Sequence, residues 1–282
     1  MKIATWNVNS VRSRITHLTG YLKNQQPDIV MLQELKCLDE QFPAMEIEGL
    51  GYNLAIFGQK SYNGVAILSR YPIEDITTGF KKDSYSEPEK WQNDARYIEC
   101  VVSVEDQVFR VASVYVPNGN QINSDKWQYK LEFLNNLKEH LSDLLKYKEN
   151  IIIGGDYNIA PQDIDVYNPK ELANTICFHP AEQKIYRQIL NSGYTDAYRL
   201  LNPSEQCFSW WDYRGGSYNY NKGMRIDHLL LSANIVDKLE KCYTDTKPRE
   251  LKTPSDHAPV VCLLYTSPSP RDLSTSRMPS SA

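Results

Sequence analysis

Residues 149–158 read ENIIIGGDYN: three isoleucines and two glycines run without a break into Asp156, Tyr157 and Asn158. A strand that is apolar on both alternations has no face to offer water, so it belongs in a sheet covered on both sides. Its polar end cannot be covered in the same way, because a carboxylate taken out of water needs a partner. The stretch therefore asks for a layered α/β scaffold with polar chemistry gathered at a strand tip. Other apolar runs end alike. KIATWN (2–7) stops at Asn7, and DIVMLQ (28–33) runs into Glu34. The run at 108–116 carries Tyr115 beside a Pro-Asn-Gly turn, and MRIDH (224–228) ends in Asp227 and His228. TPSDHAPVVC (253–262) sets Asp256 and His257 at the mouth of the last apolar segment.

Between the first two runs, Val11, Ile15, Leu18 and Leu22 recur at helical spacing, which makes a strand–helix–strand crossover. Further β-prone runs lie at 52–57, 63–69, 97–104 and 108–116, parted by turn signals such as Tyr62-Asn63-Gly64. The spacing of Trp127, Leu131, Leu134, Leu137, Leu141 and Leu144 predicts a helix over 124–148, with Ser124 as its N-cap. A second helix fits 181–191, and strands fit 225–231 and 258–264. No repeat and no Pro/Gly-rich linker divides residues 1–265, so the expectation is one domain of two sheets packed face to face with helices outside. The Ser- and Pro-rich tail 266–282 reads as disordered or as an appended extension, and it carries no part of the fold argument.

Nothing approaches the roughly 18 consecutive apolar residues of a membrane span, and MKIATWNVNS has no apolar secretory core. The six cysteines (37, 100, 177, 207, 242, 262) show no metal-type spacing, which points to free thiols in a reducing, cytoplasmic compartment. A net charge of −4 neither supports nor excludes a nucleic-acid partner, whose footprint is a local patch.

Carboxylate and amide oxygens converging at strand ends are hard ligands, suited to Mg²⁺ or Mn²⁺. Taken singly, Asn7 and Asn158 are ordinary turn or cap residues. Glu34 at the end of an apolar strand is harder to explain that way. Asp156 is the strongest signal: the glycines before it let the backbone bend closely, and Asn158, two positions on, faces the same side of a strand. Trp210, Trp211 and Tyr213 fit either core aromatics or a binding wall. Lys81, Lys82, Arg96, Arg214, Lys222, Arg225 and Arg12 fit either a solvated face or contacts to a phosphate backbone.

WNVNS (6–10), LQELK (32–36), GDYN (155–158), IDHLLLS (226–232) and SDHAP (255–259) stand in the order of the endonuclease/exonuclease/phosphatase superfamily, which the chain resembles over residues 1–264. FPAMEIEGLGY (42–52), FGQKSYNGVAILS (57–69) and FSWWDYRGG (208–216) are similar to the exonuclease III family of abasic-site endonucleases. The resemblance implies a four-layer α/β sandwich of two packed mixed β-sheets flanked by helices. It implies Mg²⁺-dependent hydrolysis of DNA 5′ to an abasic site, leaving a 3′-hydroxyl, with 3′-5′ exonuclease action and removal of 3′-blocking groups.

The implied ion ligands are Glu34 first, with Asn7, Asp156, Asn158, Asp256 and His257. Asp156 would activate the water or serve the leaving group, and Asn158 would hold Asp156 and the phosphate. His257, oriented by Asp227, would donate to a phosphate oxygen, and Tyr115 would bind the phosphate or help the leaving oxygen. Trp210 and Met224 match the walls of a pocket for a flipped-out sugar, while Arg96, Arg214 and Lys222 would contact the backbone of double-stranded DNA. A monomer suits that task. Two positions depart from the family pattern: Tyr157, with little expected effect, and His228, expected at the surface or else against the Asp227–His257 pair. The rival readings are a less specific deoxyribonuclease, a phosphatase on the same scaffold, or an inactive binding module.

Overall fold

The computed structural model describes residues 1–80 and 94–266, so Lys81, Lys82 and the tail from 267 lie outside the described residues. In chain order the first elements are β1 (Lys2–Asn7), α1 (Ile15–Gln25), β2 (Ile29–Gln33), α2 (Ala44–Glu48), β3 (Asn53–Phe57), β4 (Val65–Ser69) and β5 (Ile73–Thr78). The middle of the chain supplies β6 (Tyr97–Val104), β7 (Gln107–Tyr115), α3 (Asp125–Leu145), β8 (Asn150–Asp156), α4 (Pro169–Leu172) and α5 (Pro180–Asn191). It closes with β9 (Tyr194–Asp196), α6 (Ala197–Leu201), β10 (Trp210–Trp211), β11 (Gly223–Met224), β12 (Asp227–Ser232), β13 (Leu239–Thr244) and β14 (Val260–Leu264).

Two six-stranded mixed sheets result, ordered β13-β14-β1-β2-β4-β3 and β5-β6-β7-β8-β12-β9, with β10 and β11 as a separate ribbon. Within them β1 and β2 run parallel, as do β7 and β8, while β14 is antiparallel to β1 and β12 is antiparallel to β8. The ends of β1, β2, β7 and β8 and the starts of β12 and β14 therefore share one edge of the molecule.

Three buried clusters fill the layers. Ile3, Ile29, Met31 and Ile67 of the first sheet meet Ile98, Val111, Ile152 and Leu229 of the second. Leu134, Leu137 and Leu141 of α3 and Ile185 and Ile189 of α5 cover the outer face of the second sheet, against Val114, Ile153 and Leu230. On the far side, Leu18 and Leu22 of α1 cover Ala4, Val30 and Leu68. This is the four-layer sandwich the sequence leads one to expect.

Local rules explain the element ends. Ser124 Oγ accepts from Trp127 N at 3.2 Å and starts α3. His179 and Glu182 cap α5 reciprocally, with Pro180 in its first turn, where no N–H is missed. Val11 is buried but precedes α1, because Asn9 and Ser10 sit at φ 44° and 85° and turn the chain before Ile15.

The two glycines of β8 meet a different need from the expected one. Neither is at positive φ. A Cβ on Gly155 would stand 2.0 Å from the Val114 carbonyl oxygen, and one on Gly154 would stand 2.6 Å from Met31 Cε in the other sheet. Gly154 gives space for the two sheets to close and Gly155 lets β8 lie against β7 within its own sheet; neither is there for freedom to bend.

Candidate active site

Asn7 is the hinge of the shared edge. Its Nδ2 donates to Glu34 Oε1 at 2.8 Å and to Asp156 Oδ2 at 2.9 Å, so one amide joins a carboxylate from each sheet. Glu34 stands just past β2 at φ 53°, turned out of the strand, and Lys36 Nζ lies 2.8 Å from its Oε2. Lys36 went unread in the sequence, although LQELK contains it.

Asp156 closes β8 with 1% exposure, in register with Asp227 of β12 and Tyr115 of β7. Burial raises its carboxyl, and the charges of Asp227 and Glu34 add to that rise against the pull of His257 and Asn7, leaving it at about 7. Asn158 reaches Asp156 by another route than strand alternation. It lies beyond the strand at φ 50°, and its backbone N–H donates back to Asp156 Oδ1 at 2.9 Å. Its side chain is held at both ends, donating to Val116 O and accepting from Asn118 Nδ2, each at 3.0 Å.

His257 Nδ1 lies 2.8 Å from Asp227 Oδ2, and its Nε2 lies 3.7 Å from Asp156 Oδ2. Burial disfavours the imidazolium, but Asp227, Asp156 and Asp256 outweigh it and raise the ring to about 10. Ser209 Oγ also donates to Asp227 Oδ2, at 2.6 Å, which leaves the second oxygen of that carboxylate to stay buried without a partner. The segment carrying His257 is pinned on several sides. Ser255 Oγ donates to Asn7 O at 2.7 Å, Trp6 Nε1 donates to His257 O at 3.2 Å, and Trp211 N donates to Asp256 O at 3.1 Å.

Among the described residues, Glu34, Asp156 and His257 form a group able to hold a metal, their ligand atoms all within 4.8 Å of one another. The carboxylates of Glu34 and Asp156, one of them raised to about 7 first by burial and then by its acidic neighbours, fit a hard divalent cation, while the Asn7 amide faces them with its nitrogen and its Oδ1 accepts from Asn9 N at 3.0 Å. Asp256 is engaged otherwise: Trp210 Nε1 donates to its Oδ2 at 3.0 Å and Asn9 Nδ2 to its Oδ1 at 2.9 Å.

A cavity of about 370 Å³ opens on this edge, with Glu34, Tyr115, Asp156, Asn158 and His257 on its polar side. Trp210 and Met224, cross-strand neighbours in the β10–β11 ribbon, form its apolar wall with Ile176 and Ile226. Asp256, Asn118 and Cys177 complete the lining. Asn118 lies in the turn already noted after Tyr115. Cys177 has no signal in the sequence, yet it sits at φ 69° with its Sγ 3.6 Å from Asn158 Oδ1. Tyr115 is pushed well above the ordinary phenol value, by burial first and then by Glu34, and so stays protonated as a donor.

The basic residues divide. The guanidinium of Arg96 pairs with Asp94 at 3.1 Å and stacks 4.8 Å from the centre of the Tyr115 ring. Arg214 is exposed and paired with Asp212, Lys222 is exposed beside Tyr167, and Arg12 is exposed. Arg225 belongs elsewhere. It is buried, bonded through Nε to Asp165 and through Nη1 to Asp196 and His228, and cannot reach a ligand. His228 is likewise no surface residue. It is fully buried, one residue out of phase with Asp227, on the helix side of β12, with its Nε2 2.8 Å from Ile159 O. Burial, then Arg225, lowers it to about 4, so it is neutral and cannot disturb His257. Trp211 is core, packed with Phe208, while Tyr213 is exposed. Tyr157 stacks on Tyr186 beneath the site, its ring buried and its hydroxyl unpartnered.

A carboxylate pair and an Asp-held imidazole at the joint edge of two packed sheets define a scaffold for phosphoester hydrolysis. The model of the Endonuclease/Exonuclease/phosphatase family matches residues 4–257. The chain is 33% identical over 268 residues to exodeoxyribonuclease III of Haemophilus influenzae, a match covering 92% of this chain and 98% of that protein. Among solved structures it is similar to a 3′ phosphatase, NExo, from Neisseria bound to product DNA hairpin (TM-score 0.88, 35% identity, 94% of this chain and 100% of that one). An AP endonuclease from Archaeoglobus fulgidus is as near (TM-score 0.87, 34% identity, 94% and 100%). The chain belongs to the endonuclease/exonuclease/phosphatase family, and within it to the exonuclease III branch. It is an exonuclease III-like phosphodiesterase.

Proposed function

We propose that the chain hydrolyses the DNA phosphodiester 5′ to an abasic site with Mg²⁺, leaves a 3′-hydroxyl, and also trims 3′ ends and their blocking groups. The observation that carries this reading is the two-sided cavity, in which an apolar slot of Trp210, Met224, Ile176 and Ile226 adjoins Asp156, Asn158 and His257. A deoxyribose without its base fits such a slot, whereas a normal nucleotide must bring in its base at the cost of lost stacking. The names of the relatives, an exodeoxyribonuclease, an AP endonuclease and a DNA-bound 3′ phosphatase, support the same substrate class.

Glu34 and Asp156 would hold the divalent ion, joined by Asn7 if its amide turns its oxygen from Asn9 N to the site, and the ion would offset charge on the phosphate and lower the pKa of water. Asp156, whose carboxyl is raised by burial until an ion beside it favours the ionised form, would take a proton from the attacking water. The His257 imidazolium, oriented by Asp227 through Nδ1, donates from Nε2 to a non-bridging phosphate oxygen where negative charge grows. The phenol of Tyr115, kept protonated, donates to the phosphate or to the departing 3′-oxygen, and Asn158 orients Asp156.

The test is a labelled duplex with one abasic analogue beside an intact duplex, each with Mg²⁺ and with EDTA. Metal-dependent incision 5′ to the analogue, far faster than loss of intact strand, is expected, and Trp210→Ala lowers that preference about tenfold or more. Equal shortening of both duplexes from the 3′ end would remove the abasic preference, and cleavage in EDTA would remove the ion.

A further inference from the structure

The second thiol-bearing region of the molecule lies away from the cavity, on the edge of the first sheet. Cys242 of β13 and Cys262 of β14 stand directly opposite each other in the antiparallel ladder, and their Sγ atoms are 3.0 Å apart. That is inside the ordinary van der Waals separation of two sulfurs. Directly opposed residues of antiparallel strands hold their Cβ atoms about 4.5–5.5 Å apart, within a small approach of the spacing a disulfide needs. Both residues are free thiols.

Cys242 is 4% exposed and Cys262 fully buried, so a peroxide must enter from the Cys242 side. Cys242 lines a cavity of about 530 Å³ together with Cys207, Tyr198 and Thr244. Its strand is the outermost of the sheet and shifts register between Leu239 and Lys241, next to the thiol. An edge strand beside an irregularity opens at lower cost than a central one. The chain between the two cysteines, 243–261, carries Asp256 and His257.

We propose that Cys242 and Cys262 are an oxidisable pair that closes to a disulfide on exposure to a peroxide, tying together the two ends of the segment that carries Asp256 and His257. The sulfur of Cys242 attacks one peroxide oxygen, the O–O bond breaks, and a sulfenic acid and water form. The sulfur of Cys262 then attacks that of Cys242, the S–O bond breaks, and a second water leaves with the remaining thiol proton. Two thiols lose two protons and two electrons, and one hydrogen peroxide becomes two waters. A small thiol such as glutathione reverses the step by exchange, so in a reducing compartment the bond is transient.

The experiment uses the full chain, reduced and desalted, then treated with hydrogen peroxide, quenched in acid, alkylated and mapped by mass. The expected result is a linked 242–262 peptide pair lighter by about 2 Da than the two thiol peptides. A melting temperature that rises on oxidation and falls again with dithiothreitol accompanies it, because the bridge restricts the unfolded chain. Cys207→Ser leaves both results unchanged. Alkylation of Cys242 and Cys262 after oxidant in excess would overturn the pair, and so would a bridge from Cys207 to Cys242.

Discussion

Asp156 concentrates the conflict that the site exists to use. A carboxylate 1% exposed, facing two other carboxylates, keeps its proton up to about 7 in the folded chain without an ion. The unfolded chain releases that proton near the ordinary value for Asp. At this residue the folded state therefore binds more protons across the interval, and the contribution of Asp156 to metal-free stability falls as pH rises from the ordinary carboxylate range to about 7. An ion at Glu34 and Asp156 removes the penalty. Mg²⁺ is accordingly expected to raise the melting temperature more on the alkaline side of about 7 than on the acid side, in scans with Mg²⁺ and with EDTA. An equal increment at both ends would detach Asp156 from the ion. Asp156→Asn is expected to slow single-turnover cleavage about a hundredfold to ten-thousandfold without lowering the melting temperature in EDTA. A variant with near-full rate would take this residue out of the chemistry.

At the level of elements, β8 is where sequence pattern and packing coincide. Gly155→Ala places a methyl group against the Val114 carbonyl, and it is expected to cost about 3 kcal/mol or more, read as a lower urea midpoint. An unchanged midpoint would mean that β7 and β8 are less tightly set against each other at this point. Much of this scaffold was legible because it follows local rules. The runs 2–7 and 97–104 are β1 and β6 to the residue, and Ser124 caps α3 as its spacing predicts. What escaped was governed by partners distant in sequence. MRIDH reads as a strand ending at the surface, yet β12 lies between β8 and β9 and is covered on both faces, so His228 is as buried as Asp227. Arg225 looks like a cation for DNA until Asp165 and Asp196, brought in from other elements, claim it. The site residues were legible as strand ends, but the left-handed turns at Glu34, Asn158 and Cys177 that aim them were not. Asn favours a positive φ and gave a partial cue at Asn158, but Glu34 and Cys177 carry no such local preference.

For the whole molecule, a net charge of −4 makes attraction to DNA a matter of placement. Arg214 and Lys222 project from the stretch between the two strands of the β10–β11 ribbon, beside the apolar wall of the cavity. The exposed pairing of Arg214 with Asp212 is screened and gives way to a phosphate at little cost. Arg214→Ala is expected to weaken binding of an abasic duplex in EDTA and to reduce the slope of log affinity against log salt by about 1. An unaltered slope, measured by fluorescence anisotropy, would take Arg214 out of the interface. The order of the first sheet bears on when such an enzyme becomes active. Asn7 lies on β1, and the strand that follows His257 inserts directly beside it as β14. During synthesis the ribosome must release that strand before Asn7, Asp156 and His257 can meet. A chain lacking β14 thus leaves β1 open on the side of Asn7, and the cutting edge waits on the last strand of the fold to be made.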